Sequence, residues 1–293
     1  MARALHVGCI QYCAGSNTDR NLRTIERLVD RAASEGAQLI CLPEYATCYG
    51  AVRGQLKVGA VEEAEHEGLT ALRALAEQHA VWLLIGSIAI KRDDGLINNR
   101  SYLIDDRGGI VARYDKIHLF DVDLDGGESY RESKTIKAGD KAVLAETPFG
   151  RLGLTICYDI RFPQLYRTLA KAGADVIFAP AAFTRTTGHA HWHTLVTARA
   201  IETGAYLVAP CQCGDQRGKL ARYGHSLIVD PWGKQLADGG EKSGIITAEI
   251  DLENADAARG MIPALQHDRL FEISTISSSD TDLEKSELRP TSP

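Results

Sequence analysis

The stretch Arg151-Leu152-Gly153-Leu154-Thr155-Ile156-Cys157-Tyr158-Asp159 decides the reading of this chain. Its apolar run predicts a buried strand over 152–157 that delivers a thiol at its end. The spacing beyond it predicts a helix from Pro163 to Ala172, with proline at a first-turn position where its missing N–H costs nothing, and then the strand Asp175-Val176-Ile177-Phe178-Ala179. Further strands are expected near 143–147, 204–211, 223–230 and 244–250, a helix near 190–203, and a short helix after Asp251. The first half repeats this logic. Residues 4–12 read as a strand, and 17–35 carry Leu22, Ile25, Leu28, Val29 and Ala32 at helical spacing, closed by Gly36. A strand Gln38 to Leu42 runs into Pro43-Glu44; a helix over 61–79, the run Val81 to Gly86 and strands near 99–105 and 109–115 follow. Strands and helices alternating on this scale imply an α/β fold with helices outside the sheets, and two such halves can pack sheet against sheet.

The chain has 293 residues, 44% hydrophobic and 25% charged, which suits a soluble globular protein with a large core. The expectation is one domain over 1–272 and a polar tail over 273–293, where Ser274 to Pro293 shows no periodicity. No apolar stretch nears the roughly 20 residues of a bilayer span and the N-terminus lacks a secretory pattern, so a cytoplasmic address and no membrane partner are expected. A net charge of −6 with mixed signs argues against nucleic acid and favours a small-molecule substrate. Seven scattered cysteines are no disulfide framework; most should be reduced and buried.

Three segments place a reactive group just past an apolar run: Leu42-Pro43-Glu44-Tyr45, Tyr114-Asp115-Lys116-Ile117-His118 and Leu154-Thr155-Ile156-Cys157-Tyr158-Asp159. A carboxylate that takes a thiol's proton, a thiolate that attacks a carbonyl-like carbon and an ammonium that holds the oxyanion make a complete acyl-transfer set. Taken singly, Cys157 reads as a buried structural thiol, Glu44 as a loop carboxylate capping a helix and Lys116 as a solvated charge. Taken together, in this order, they resemble the nitrilase superfamily of carbon–nitrogen hydrolases over about residues 4–270. Lys116-Ile117-His118-Leu119-Phe120-Asp121, Cys157-Tyr158-Asp159-Ile160-Arg161-Phe162-Pro163, His191-Trp192, Arg199-Ala200-Ile201-Glu202, Tyr223-Gly224-His225-Ser226 and Asp230-Pro231-Trp232-Gly233 are most similar to the amidase branch that includes deaminated glutathione amidase and omega-amidase.

That resemblance implies a four-layer α-β-β-α sandwich that assembles as a homodimer or larger homo-oligomer. It puts the general base on Glu44, the oxyanion-holding lysine on Lys116, the nucleophile on Cys157 and a second active-site glutamate on Glu132. Gly239-Gly240 and Gly126-Gly127 read as turn glycines rather than phosphate loops, so no cofactor is expected. Tyr158 would supply a backbone N–H to the oxyanion, and Phe183 and Thr184 would line the pocket. Arg161, four residues past the nucleophile, suits bidentate pairing with a substrate carboxylate, against the plainer alternative of an ion pair with Asp159. The expected reaction is hydrolysis of a small carboxylate-bearing amide, such as deaminated glutathione or an ω-amide of an α-keto acid, through a cysteine thioester. Nitrile and N-carbamoyl substrates stay open as alternatives. Departures from the family pattern fall at Leu124-Asp125-Gly126-Gly127 and Ala138-Gly139, where Pro-Gly is common.

Two metal patterns compete with this reading. Asp121-x-Asp123-x-Asp125-Gly126 with Glu132 satisfies the bare EF-hand spacing, yet its flanks are not helical. His189, His191 and His193 with Cys211 and Cys213 offer zinc ligands without the spacing of a closed site. Neither is adopted, and no metal is expected; a metal-dependent hydrolase and a non-catalytic binding protein remain the competing classes. Hydrolytic activity should therefore be abolished by a thiol alkylator and unaffected by EDTA; loss of activity to EDTA alone would reverse the assignment.

Overall fold

The computed structural model describes residues 4–52, 55–124, 129–215 and 221–277. Two six-stranded sheets dominate it. The first has the spatial order Gly244–Asp251, Ala4–Gln11, Leu39–Cys41, Trp82–Lys91, Ile97–Ile104, Ile110–Asp115. The second runs Val143–Thr147, Gly150–Leu154, Val176–Phe178, Tyr206–Ala209, Leu227–Val229, Gln235–Asp238. Each sheet has parallel strands at its centre, joined by helical crossovers, and antiparallel strands at its edges.

Side-chain alternation sorts the layers. Leu5, Val7 and Cys9 point between the sheets, where they meet Leu152, Leu154, Val176, Phe178 and Val208 in one buried cluster. The other face of the first sheet packs under helices α1 (Thr18–Ser34) and α2 (Glu67–His79) through Ile25, Leu28, Val29, Leu69 and Leu72. Helices α3 (Pro163–Lys171) and α4 (Arg185–Thr203) cover the outer face of the second sheet through Leu165, Leu169, Trp192, Val196 and Ala200. The result is the expected α-β-β-α sandwich.

Several boundaries differ from the sequence reading, each for a local reason. Residues 61–79 are not one helix, because Val61 bridges to Ile90 and His66 caps α2 by accepting the Leu69 N–H at 3.1 Å. Helix α4 starts five residues early, where the Thr184 hydroxyl accepts the Thr187 N–H. The strand 152–157 stops at Leu154, so Cys157 lies beyond it in a 3₁₀ turn, Cys157–Arg161. Most consequential, Gly244–Asp251 leaves the second half and pairs along the whole of Ala4–Gln11, tying the chain's late segment into the first sheet. A short helix α5 (Glu253–Met261) follows it; residues 273–277 of the expected tail carry no helix or strand, and 278–293 lie outside the described residues.

The sheets come closest near Gly86. A Cβ built there would lie 2.0 Å from the Leu42 carbonyl oxygen and 2.6 Å from Pro180 Cβ. Only glycine lets the strand Trp82–Lys91 pass this close to the segments that carry Glu44 and Ala182. Gly86→Ala should cost about 2–3 kcal/mol in denaturant unfolding and depress turnover with it; an unchanged midpoint and activity would refute the close-packing argument.

Candidate active site

The reactive residues leave the sheets at the carboxyl ends of their strands, the position where open α/β sheets leave a crevice. Glu44 follows Leu39–Cys41, Lys116 follows Ile110–Asp115 and Cys157 follows Gly150–Leu154. The turns are strained where the chemistry is. Among the described residues, four non-glycine positions have positive φ, and two of them are Tyr45 (φ 53°), next to Glu44, and Cys157 (φ 48°). Strain of this kind persists only where the surroundings over-determine it. The Tyr45 N–H is held by the Ser87 hydroxyl at 2.8 Å, and the Cys157 N–H by the Pro180 carbonyl at 2.9 Å.

Lys116 sits at the centre, 2% exposed. Its Nζ donates to Glu44 Oε1 at 3.1 Å and to Glu132 Oε2 and Oε1 at 2.8 and 3.0 Å. Glu44, also 2% exposed, accepts from Asn99 Nδ2 at 2.9 Å, and its Oε2 accepts the Ala182 N–H, from the second sheet, at 2.9 Å. Glu132 accepts further bonds from the Phe120 N–H at 2.7 Å and the Tyr45 hydroxyl at 3.2 Å. Burial alone would lower the Lys116 pKa, but the charges of Glu132 and then Glu44 outweigh it and hold the ammonium well above its usual range.

Cys157 is half-buried, so its sulfur can meet a substrate while its partners stay covered. Burial pushes the thiol well above its ordinary pKa, and the hydrogen-bonded Glu44 carboxylate pushes the same way; Lys116 and the Ala182 N–H oppose them. Burial and the neighbouring carboxylate together favour the protonated form of the thiol. Tyr158, one residue on, lies in the first turn of the same 3₁₀ segment.

One carboxylate, which the sequence reading considered only as an alternative partner for Arg161, binds this arrangement together. Asp159 is 0% exposed and accepts from Tyr114 Oη at 2.6 Å, the Ile156 N–H at 2.8 Å, the His118 N–H at 3.0 Å and His118 Nδ1 at 2.7 Å. It clamps the turn carrying Cys157 to the segment carrying Lys116. Arg161 therefore does not pair with Asp159. Its guanidinium lies 5.4 Å from the Phe183 ring centre and 5.9 Å from that of Tyr158, with His191 Nδ1 at 3.3 Å, and makes no ion pair among the described residues. Phe183 is buried against Trp192, and the Thr184 hydroxyl is occupied by its cap on α4.

Asn99, which joins both glutamates, was missed; the signal was an amide pair, Asn98-Asn99, inside a strand, where such residues are depleted. The metal patterns dissolve. Asp121–Asp123 pairs with Ser129–Arg131 as a hairpin, Asp123 bonds Arg131, Glu132 turns to Lys116, and Asp125 lies outside the described residues. Cys211 and Cys213 are buried and join no possible metal-ligand group with the histidines among the described residues; His191 faces Arg161 and His189 lies against Tyr223. Among the described residues, His193, His225 and Asp238 do gather possible ligand atoms within 4.8 Å of one another. Asp238 bonds to His225 Nδ1 at 2.9 Å and His193 Nε2 at 3.1 Å, so the trio closes as a hydrogen-bonded group. A separate cleft of about 490 Å³, lined by Glu146, Arg151, Asp175 and Arg259 among others, contains none of the candidate site residues.

A family model for carbon–nitrogen hydrolases matches residues 6–260. The chain belongs to this family. It is 41% identical over 266 residues to a deaminated glutathione amidase of Synechocystis, covering 89% of this chain and 97% of that protein. An omega-amidase of Xenopus tropicalis is 34% identical, with 87% of this chain and 91% of the relative covered. The crystal structure of the Caenorhabditis elegans NitFhit protein superposes with a TM-score of 0.83 at 35% identity over 91% of this chain, which spans 65% of that longer protein.

The opposed charges around the sulfur give a pH signature. Alkylation read at the Cys157 peptide should show Glu44→Gln moving the inflection to lower pH, because a negative charge is removed, and Lys116→Met moving it higher. The opposite order would contradict the geometry.

Proposed function

We propose that this protein is an amidase that cleaves a C–N bond of a small carboxylate-bearing amide, with deaminated glutathione or an ω-amide of an α-keto acid as the substrate class. The observation that carries this reading is the Glu44 carboxylate held between a buried ammonium and the Cys157 thiol. As sulfur attacks the amide carbon, Glu44 takes the thiol proton. The oxyanion is stabilised by the Lys116 ammonium and the Tyr158 N–H. Collapse breaks the C–N bond, the amine leaves with the proton from Glu44, and the acyl group stays on sulfur as a thioester. Water then enters; Glu44 takes its proton, the second tetrahedral adduct expels the sulfur, and the proton returns to it.

Charge balance favours this order of events. Two glutamates against one lysine give the buried cluster −1 while the thiol is neutral, and a resting thiolate would make it −2, which desolvation opposes. Proton transfer coupled to attack avoids that state. The Arg161 guanidinium, which makes no ion pair among the described residues and lies on the same turn as the nucleophile, is the group that would hold the substrate carboxylate. The names of the Synechocystis and Xenopus relatives point to the same substrate class.

Among the described residues no helix is long and apolar enough to cross a membrane. We assign the enzyme to the cytoplasm and to a self-associating state; Ile201 and Trp232 are 57% and 53% exposed, and Gly233 beside Trp232 abuts Ile201. Amine release from carboxylate-bearing amides should vanish in Cys157→Ala and fall at least about 10²–10³-fold in Lys116→Ala, the loss expected for one oxyanion donor. Near-normal turnover by either variant would overturn the mechanism.

A further inference from the structure

Arg222 is a second cation at this site. It is 5% exposed, makes no ion pair among the described residues, and its buried Nε has no hydrogen-bond partner. Its guanidinium lies over the Tyr49 ring at 4.8 Å and donates to the Tyr49 hydroxyl. Burying a guanidinium without a carboxylate is costly, because the Tyr49 face and hydroxyl and the Tyr130 side chain replace only part of its hydration. Such a residue calls for an anion that arrives from elsewhere.

Its position says where that anion would sit. The Arg222 guanidinium also hydrogen-bonds the Tyr130 side chain, and the Tyr49 ring beneath it stacks at 5.3 Å on Tyr45, the neighbour of Glu44. The Tyr130 ring packs on Phe120 at 5.0 Å, Phe120 on Tyr158 at 5.1 Å, and Tyr158 lies under Arg161. On the other side, the Arg222 backbone bridges to Thr184, the neighbour of the Phe183 on which Arg161 rests. The contacts close a collar that begins and ends at the two arginines and includes the residue next to the nucleophile. Neither guanidinium in it pairs with a carboxylate among the described residues.

We infer that Arg222 is a specificity-determining residue that pairs with a second carboxylate of the substrate, so that the preferred amide is a dianion held by Arg161 at one acid group and Arg222 at the other. This rests on the amidase reading above and narrows it. A neutral or singly charged amide would leave a buried cation unpaired, and the site would discriminate against it.

Calorimetric binding to the Cys157→Ala protein tests this without turnover. The probes are deaminated glutathione, which carries a carboxylate at each end, and its two monomethyl esters. The diacid should bind about 30- to 100-fold more tightly than either ester. Adding Arg222→Gln should erase the discrimination against one ester, and Arg161→Gln that against the other; Arg222→Lys should keep most of it. The inference is overturned if both esters bind as well as the diacid, a result that needs no arginine variant, or if Arg222→Gln weakens all three probes equally. Diacid-selective binding without cleavage by the unmodified enzyme would sink the amidase reading and leave this one standing.

Discussion

The fully covered ammonium of Lys116, held between Glu44 and Glu132, is the constraint on which the rest of this structure depends. None of the three groups is affordable alone in that environment: an unpaired buried charge costs several kcal/mol, and removing one partner would strand the others. The cluster therefore holds together segments that are far apart in the chain. Asn99, Phe120, Tyr45 and Ala182 donate the remaining hydrogen bonds to the two carboxylates, which fixes their orientation. Because the bond from Ala182 comes from the second sheet, the docking of the two halves and the alignment of Glu44 are one event.

Strain is concentrated on the same few residues. Left-handed backbone at Tyr45 and Cys157 swings two adjacent functional groups out of their strands, and the network that pays for it is visible in Ser87, Pro180 and Asp159. Asp159 is a positioning residue in this account. It joins the turn of Cys157 to the segment of Lys116 through Tyr114 and His118. A preorganised site of this sort gains its rate from groups that need not move as charge develops on the substrate oxygen.

Much of this was legible in the sequence. The apolar periods of 2 and 3.6 gave the layers, and the order of glutamate, lysine and cysteine pointed to three side chains that the fold brings together. What stayed hidden had physical causes. The pairing of Gly244–Asp251 with Ala4–Gln11 is a long-range register choice that no local pattern encodes. Helix α4 began early because a threonine cap outweighed its weak apolar pattern. Arg161 could be paired with Asp159 on sequence distance alone, but only coordinates reveal that four donors already occupy that carboxylate. Arg222 carried no sequence signal, since its importance lies in what is missing around it.

The central claim is that Cys157, with its proton taken by Glu44, carries the acyl group between two half-reactions. Acid quenching during steady-state turnover of an amide, followed by intact-mass measurement and peptide mapping, tests this most directly. The account predicts a mass increase equal to the acyl fragment, confined to the peptide containing Cys157 and lost after hydroxylamine treatment. Sustained turnover with no such adduct in the wild type and undiminished hydrolysis by Cys157→Ser, or an adduct mapping to another residue, would contradict it.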